Sequence, residues 1–454
     1  MSWRVAEFLF WWCGKAGSVN SGYLETGVLI FPHGVPRGYD EGRSHRRARM
    51  ADEGCVDRGE IAFDPHDPRF VDDGVPFPML ARIRQEQPVL PLAEGAWYLS
   101  RYDDVVSALS DVETFRSDLS AITGVSTGLE TIPSEQLYLS EIEEPRHKEM
   151  RQLFQAVVTP SRLRELEKAL EHHCHQLIDA MLQAPSVDLH EQYAMAIPAF
   201  AMARLMGFGD DAIAHFMAWS WDGTLMQRPC SSTAPPGGPR SHVYFGEAVA
   251  VQRRLPVPTN PVIAVMIDAV IEGRRLSDAE IVTQLHFMIQ AGVHTTRSLL
   301  VHLVNRLVQD AALWAQLQDD RSLVPLFVEE SLRRDAPVQR TTRRCTRDVV
   351  LNGAVMRAGD CVEIGIGSAN HDERLFADGD DFLLDRGNVR RHIAFGTGSH
   401  FCPGAGLARL EARIMVAALL DRLERLEPVE GAIYPPLPGS LGHQPIPARL
   451  VCRP

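Results

Sequence analysis

The sequence predicts a mainly α-helical protein with a small β region, folded as one large domain. Helix signals dominate from Thr159 to Asp335, while strand-like runs are short and flank them, at Ala96–Tyr102 and Cys361–Ile366. No strand–helix alternation runs along the chain, as a doubly wound parallel sheet would require. The bulk figures agree, since 454 residues with 45% hydrophobic and 23% charged composition are ordinary for a globular chain with a sizeable core.

Residues 1–49 stand apart. An aromatic cluster (Phe8, Phe10, Trp11, Trp12) lies beside glycine-rich and arginine-rich stretches, with no sustained helical or strand period. Regular patterning begins after Met50. The expected organisation is an N-terminal extension over 1–49, disordered or over-translated, and a folded domain over 50–454; a regulatory extension is the alternative. The apolar run Trp3–Cys13 is short, carries Glu7 and lacks a small-residue cleavage site, so it reads as neither signal nor anchor. No stretch reaches the ~20 apolar residues of a membrane span.

The elements then follow in order. Ala96–Tyr102 has the β-branched and aromatic content of a strand and runs into a short helix over Asp103–Ser110. Thr159-Pro160 is a helix start, with a capping hydroxyl and a proline in the first turn. Behind it Leu163, Leu166, Leu170, Cys174, Leu177 and Met181 recur at helical spacing. The adjacent His172-His173-Cys174-His175 looks like a metal cluster, but consecutive helical residues point in different directions, so surface histidines flanking a core cysteine are expected. Arg228–Ser241, rich in proline and glycine, is expected to be a loop between two helices.

Ser277-Asp278-Ala279-Glu280 is a capping box. About thirty proline-free residues follow, a rod of roughly 45 Å. A glycine inside it, Gly292, costs about 1 kcal/mol against alanine. Gly292, Thr295 and Thr296 share one face, a notch with hydroxyls one turn on, against which a flat ligand could lie. For this segment taken alone, close helix packing is the preferred explanation of the glycine.

Charge and cysteines narrow the function classes. A net charge of -13 argues against nucleic acid as a general partner. The eight cysteines (Cys13, Cys55, Cys174, Cys230, Cys345, Cys361, Cys402, Cys452) show no C-x-x-C pair, which favours a reducing cytoplasm over a disulfide framework or zinc ribbon.

One string concentrates chemistry. Phe395-Gly396-Thr397-Gly398-Ser399-His400-Phe401-Cys402-Pro403-Gly404-Ala405-Gly406-Leu407-Ala408-Arg409 joins a glycine-rich loop to a helix over Leu407–Leu420. A cysteine at a helix N-terminus meets free N–H groups and the positive dipole end, which favour thiolate. The glycines let backbone approach a ligand closely. A buried structural cysteine in a turn is the general alternative. A dinucleotide fingerprint does not fit, because the third glycine and the downstream acid are missing.

This string resembles, residue by residue, the haem-binding signature of the cytochromes P-450. Four further matches fall in that family's order: His147 with Arg151, Ala291-Gly292 with Thr295, Glu330 with Arg333, and the stretch from Ala369-Asn370-His371-Asp372 through Phe376 to Asp385-Arg386. The resemblance implies a cytochrome P-450 fold holding haem b, iron protoporphyrin IX, with Cys402 as the iron's thiolate ligand. It implies His147, Arg151, Arg343 and His400 at the haem propionates, and Ala291, Gly292 and Phe395 beside the cofactor. Glu330, Arg333 and Arg386 would form a buried ion-pair triad of structural role, and His392 would be packing. Thr295 and His294 would activate dioxygen, although His294 departs from the family, which keeps Asp or Glu there. Imidazole also relays protons and titrates near neutrality.

The implied activity is monooxygenation of a small organic substrate, a secondary metabolite, by a cytoplasmic enzyme. Dioxygen is the oxidant, and a separate ferredoxin-type partner with its reductase supplies electrons, since the chain has no room for a flavin or iron–sulfur module. Neither nucleic acid nor membrane is an expected partner. The alternatives are coupling, desaturation or rearrangement without net oxygen insertion, and a haem-bound ligand sensor. Ser117–Leu139, Arg228–Ser241 and Val338–Thr342 are the segments expected to line the substrate pocket.

Overall fold

The computed structural model describes residues 61–67, 70, 74–117, 133–221, 240–436 and 444–453. The extension over 1–49 therefore lies outside the described residues, as do Cys13, Cys55, Cys230 and residues 118–132 and 222–239, which include most of the expected segments Ser117–Leu139 and Arg228–Ser241.

The chain enters through α1 (Phe77–Glu86), the hairpin β1 (Val89–Ala93) and β2 (Ala96–Leu99), then α2 (Tyr102–Ser110) and β3 (Phe115–Arg116). Helices α3 (Arg146–Val157) and α4 (Pro160–Met181) follow, then β4 (Val187–Asp188), a π turn over His190–Ala194, and α5 (Ala196–Leu205). The Thr159 hydroxyl caps α4 by accepting from the Arg162 N–H. Its buried stripe is Leu166, Leu170, Cys174, Ile178 and Met181, the spacing of one helical face. Helix α5 is apolar all round and almost wholly buried, as a helix in the middle of a core must be.

After α6 (Asp210–Trp221) come α7 (Arg240–Arg254), α8 (Pro261–Asp268) and the small hairpin β5 (Val270–Ile271) and β6 (Arg274–Arg275). Arg240 and Ser241 belong to the first turn of α7, not to the expected loop. Ser241 is drawn in because its hydroxyl pairs with His286 Nδ1 at 2.8 Å in the interior.

The long helix forms as α9 (Asp278–Ile289), a π turn over Gln290–His294, and α10 (Thr295–Gln309). Its capping box closes in both directions, Glu280 N–H to Ser277 Oγ at 3.2 Å and Ser277 N–H to Glu280 Oε2 at 2.7 Å. Helices α11 (Ala311–Asp319) and α12 (Val324–Arg334) follow. Then come β7 (Thr341–Cys345), β8 (Val349–Leu351), β9 (Ala354–Met356), β10 (Cys361–Ile364) and the single turn α13 (Ile366–Ala369). The chain closes through α14 (Ala405–Arg422), β11 (Leu423–Pro428) and β12 (Pro447–Cys452).

The sheet has strand order β1-β2-β10-β7-β3, with β2 and β10 parallel and the other neighbours antiparallel. A second sheet orders β11-β12-β4. The main core is helical, built by α3–α12 and α14, and a smaller one packs the sheet against α2. His173 departs from the surface expectation, lying flat on Phe200 at 4.1 Å and 8°, where burial and Arg204 hold its imidazole down at about 4. Among the described residues no helix is long and apolar enough to cross a membrane.

Candidate functional site

A cavity of about 330 Å³ lies between the α9–α10 turn, the inner face of α3, β7 and the loop that ends at Cys402. The structure brings Cys402, His147, Arg151, Ala291, Gly292, Thr295, Arg343, Phe395 and His400 to its walls. His294 is not among the lining residues.

The loop is held by its backbone. The Cys402 N–H donates to Phe395 O at 2.9 Å, and Gly396 and Gly398 take the left-handed φ values of 70° and 71° that side chains disfavour. A Cβ on Gly398 would stand 2.9 Å from Leu109 O, so this glycine admits the neighbouring backbone and not a ligand. A clamp that sequence reading missed fastens the loop to α12. Arg409 pairs with Glu329 at 2.6 Å and covers the Phe395 ring at 4.6 Å, while His392 Nε2 meets the other Glu329 oxygen at 3.0 Å. Burial alone would raise the Glu329 carboxyl, but its bonds to His392 and Arg409 win and hold it at about 2.

Cys402 lies just before the N-terminus of α14, yet the thiolate bias expected from that position does not prevail. Burial pushes the thiol above its ordinary range, and the Gly404 N–H, Arg151, Arg409 and the Ala405 N–H only partly oppose it. Dipole and N–H donors act over one turn, whereas desolvation acts on the whole charge. Coordination to a metal cation would tip the balance to thiolate, because a coordinated thiol is deprotonated outright.

At one edge of the cavity the positive groups gather. His147 and Arg151 share a face of α3, four residues apart, and Arg343 and Thr341 share the inner face of β7. The His147 and His400 rings lie 4.1 Å apart. Arg343 is 6% exposed and donates to Thr341 Oγ1 at 3.2 Å and Thr342 O at 2.9 Å, neither of them an anion. Its Nε and His147 Nε2 are buried without a partner. Burial lowers the Arg343 guanidinium to about 10 against Glu143, which leaves it a cation at neutral pH. Burial and then His147, Arg343 and Arg151 press the His400 imidazole down to about 3. Arg151 donates to Phe401 O, and Ser117 Oγ lies 3.3 Å from His400 Nε2. His147 Nδ1 already meets Glu144 Oε1 at 2.9 Å, but among the described residues the buried Arg343 guanidinium bonds only to neutral groups, and a buried cation is costly unless an anion arrives. This edge fits a ligand with two carboxylates, and Cys402 fits an iron ligand beneath it.

The helical wall opens at the π turn, a feature common at functional sites. Thr295 Oγ1 donates to the freed Ala291 carbonyl at 2.7 Å, so its lone pairs remain for the cavity. The bare face of Gly292 is not an empty notch. A Cβ there would meet Met202 Sδ of α5 at 2.5 Å, which makes the glycine a site of close helix packing that also borders the cavity. His294, expected to act with Thr295, lies in the interior and accepts from Arg297 Nη2 at 3.3 Å.

Behind the cavity Glu330, Arg333 and Arg386 do meet. Arg333 binds both Glu330 oxygens at 2.8 Å and Arg386 Nε reaches Oε1 at 3.1 Å, all in the interior. The remaining Arg333 donors are taken by the carbonyls of Asn370, Gly379 and Asp381, which ties α12 to the segment before the cysteine loop.

Comparison with known proteins agrees with this geometry. Residues 252–451 match the family model described as Cytochrome P450. A putative cytochrome P450 123 of Mycobacterium tuberculosis is 32% identical over 376 residues, 81% of this chain and 91% of the relative. A steroid C26-monooxygenase of Mycolicibacterium smegmatis is 30% identical over 368 residues, covering 79% and 88%. The crystal structure of CYP109E1 from Bacillus megaterium with testosterone superposes at a TM-score of 0.70 with 28% identity, covering 83% of this chain and 99% of the other. Sequence, fold and cavity chemistry coincide, and the chain belongs to the cytochrome P450 family of haem b monooxygenases.

Proposed function

We propose that the protein inserts one atom of dioxygen into a neutral, mainly apolar organic substrate of medium size, a secondary metabolite, in the cytoplasm. The observation that carries the reading is a single cavity holding the Cys402 thiol, the Thr295 hydroxyl and, at one edge, the buried Arg343 guanidinium beside Arg151, His147 and His400. Cys402 is assigned as the iron ligand, and His147, Arg151, Arg343 and His400 as the residues that neutralise the propionates. Ala291, Gly292 and Phe395 border the macrocycle. Haem with a thiolate ligand supplies dioxygen activation, because the sulfur pushes electron density towards O–O cleavage. The chain's own residues position the substrate and keep water out. Leu139, Phe287, Met288, Val338 and Ile366 give the cavity apolar walls, and Thr295 stands ready to accept a hydrogen bond near the reacting oxygen. Two of the similar proteins carry steroid names, which supports an apolar substrate of that size. Electrons are assigned to a separate ferredoxin and its reductase.

Two measurements test the reading. The ferrous–CO complex should show the red-shifted Soret band of a thiolate ligand, and Cys402→Ser should lose it. Turnover under labelled dioxygen, with a substrate found by difference-spectrum screening of a metabolite panel, should leave one labelled atom in the product. A product without label would point instead to oxidative coupling or desaturation.

A further inference from the structure

His294 stands where the resemblance calls for a carboxylate, and a buried cation faces it. His294 is 8% exposed and Arg297, one turn on, is 1% exposed. Their contact of 3.3 Å runs from Arg297 Nη2 to His294 Nε2. Guanidinium has donors and no acceptor, so Nε2 must accept. A neutral imidazole that accepts at Nε2 carries its proton on Nδ1.

A second imidazole completes the surroundings. His190, in the π turn that packs on α10, is 1% exposed, and its Nδ1 meets the Gln444 carbonyl at 2.8 Å. Burial holds its imidazole below the ordinary value despite that bond, and the Arg297 charge adds to the effect. Behind it Asp188 Oδ1 accepts the His190 backbone N–H at 3.0 Å. Among the described residues, Arg297 lies against His294 on the same helix, and His190 with Asp188 lies near Arg297 on the segment packed against α10. Burial brings Arg297 down to about 10, which leaves it charged at neutral pH. Protonating His294 would set a second cation against the guanidinium in a region of low dielectric.

We propose that Arg297 is a positioning residue that fixes His294 as the neutral imidazole with its proton on Nδ1, so that His294 supplies a fixed donor and cannot act as an imidazolium acid. The relevance to oxygen chemistry rests on the proposed function, but the test reads the ring itself and needs no turnover.

The experiment uses the full-length holoprotein with ¹⁵N-labelled histidine, in its diamagnetic ferrous–CO form. Two-bond proton–nitrogen correlation distinguishes the tautomers, and His294 is identified by the signals lost in His294→Gln. The expected pattern is protonated Nδ1 with bare Nε2, unchanged between about pH 6 and 8. A proton on Nε2, or a cationic ring in that range, overturns the proposal. In Arg297→Met the ring should exchange between tautomers and gain a pH response, and a spectrum identical to wild type would also overturn it. If Arg297→Met does not fold, the wild-type spectrum still decides. Failure to incorporate labelled oxygen would refute the proposed function and leave the tautomer result standing.

Discussion

Replacing Gly292 by alanine separates two roles of the bare helix face, because packing and cofactor contact respond to different second mutations. The added Cβ would lie 2.5 Å from Met202 Sδ and 3.0 Å from its Cγ, so Met202 or the backbone of α5 has to move. Overpacking of this kind costs about 1–3 kcal/mol, and the better helix propensity of alanine returns about 1 kcal/mol. Gly292→Ala should therefore lose about 0–2 kcal/mol. Met202→Ala should lose about 2 kcal/mol, the low end for a truncated methionine, because one side of Met202 faces the cavity. In the double mutant the clash is gone and the new methyl fills part of the void, so its cost should fall below the sum by about 1–2 kcal/mol. Urea unfolding of the four proteins measures the cycle, and the ferrous–CO spectrum measures haem occupancy in each. Strictly additive costs would refute packing against Met202. Haem loss in Gly292→Ala that Met202→Ala fails to restore would place the glycine against the cofactor instead.

Further outcomes follow from the same geometry. Glu330→Gln leaves two buried guanidiniums short of their anion; since both keep backbone carbonyls, the loss should be about 3 kcal/mol, read as a melting temperature lowered by roughly 3–5 °C in a domain of this size. Arg343→Ala should weaken haem retention, measured by transfer of haem to a competing acceptor, far more than it lowers the melting temperature of the apoprotein, because without haem the guanidinium has only its bonds to Thr341 and the Thr342 carbonyl and the pull of Glu143 to lose. Thr295→Ala should still bind substrate but divert electrons to peroxide, lowering product per NAD(P)H by roughly 10²-fold or more; coupling equal to wild type would reduce Thr295 to packing. Glu280 and Glu329 are both held at about 2, below the ordinary 4.5, by their bonded partners against the opposing effect of burial. Their contribution to stability should be complete above 4.5 and fade as pH falls towards 2, and Glu280→Gln should flatten that acid limb in urea unfolding.

Local chemistry made much of the molecule legible. The capping box of Ser277 and Glu280, the Thr159 cap and the apolar stripe of α4 each depend on neighbours within a few residues, so the sequence alone locates those helices. The glycine–cysteine string is equally local, and it marked the floor of the cavity before any coordinates. What the tertiary structure decided is which distant groups share a dielectric. Helical spacing cannot reveal that Met202 occupies the space beside Gly292, because α5 is apolar on every side and gives no phase. The Glu329–Arg409–His392 clamp joins three separate segments through contacts that no periodicity records. The thiol of Cys402 looked activated from its helix end alone, and burial by the whole domain reverses that balance. The resemblance paired His294 with Thr295, yet adjacent helical residues point about 100° apart, and only the folded structure shows the His294 ring in contact with Arg297, one turn along.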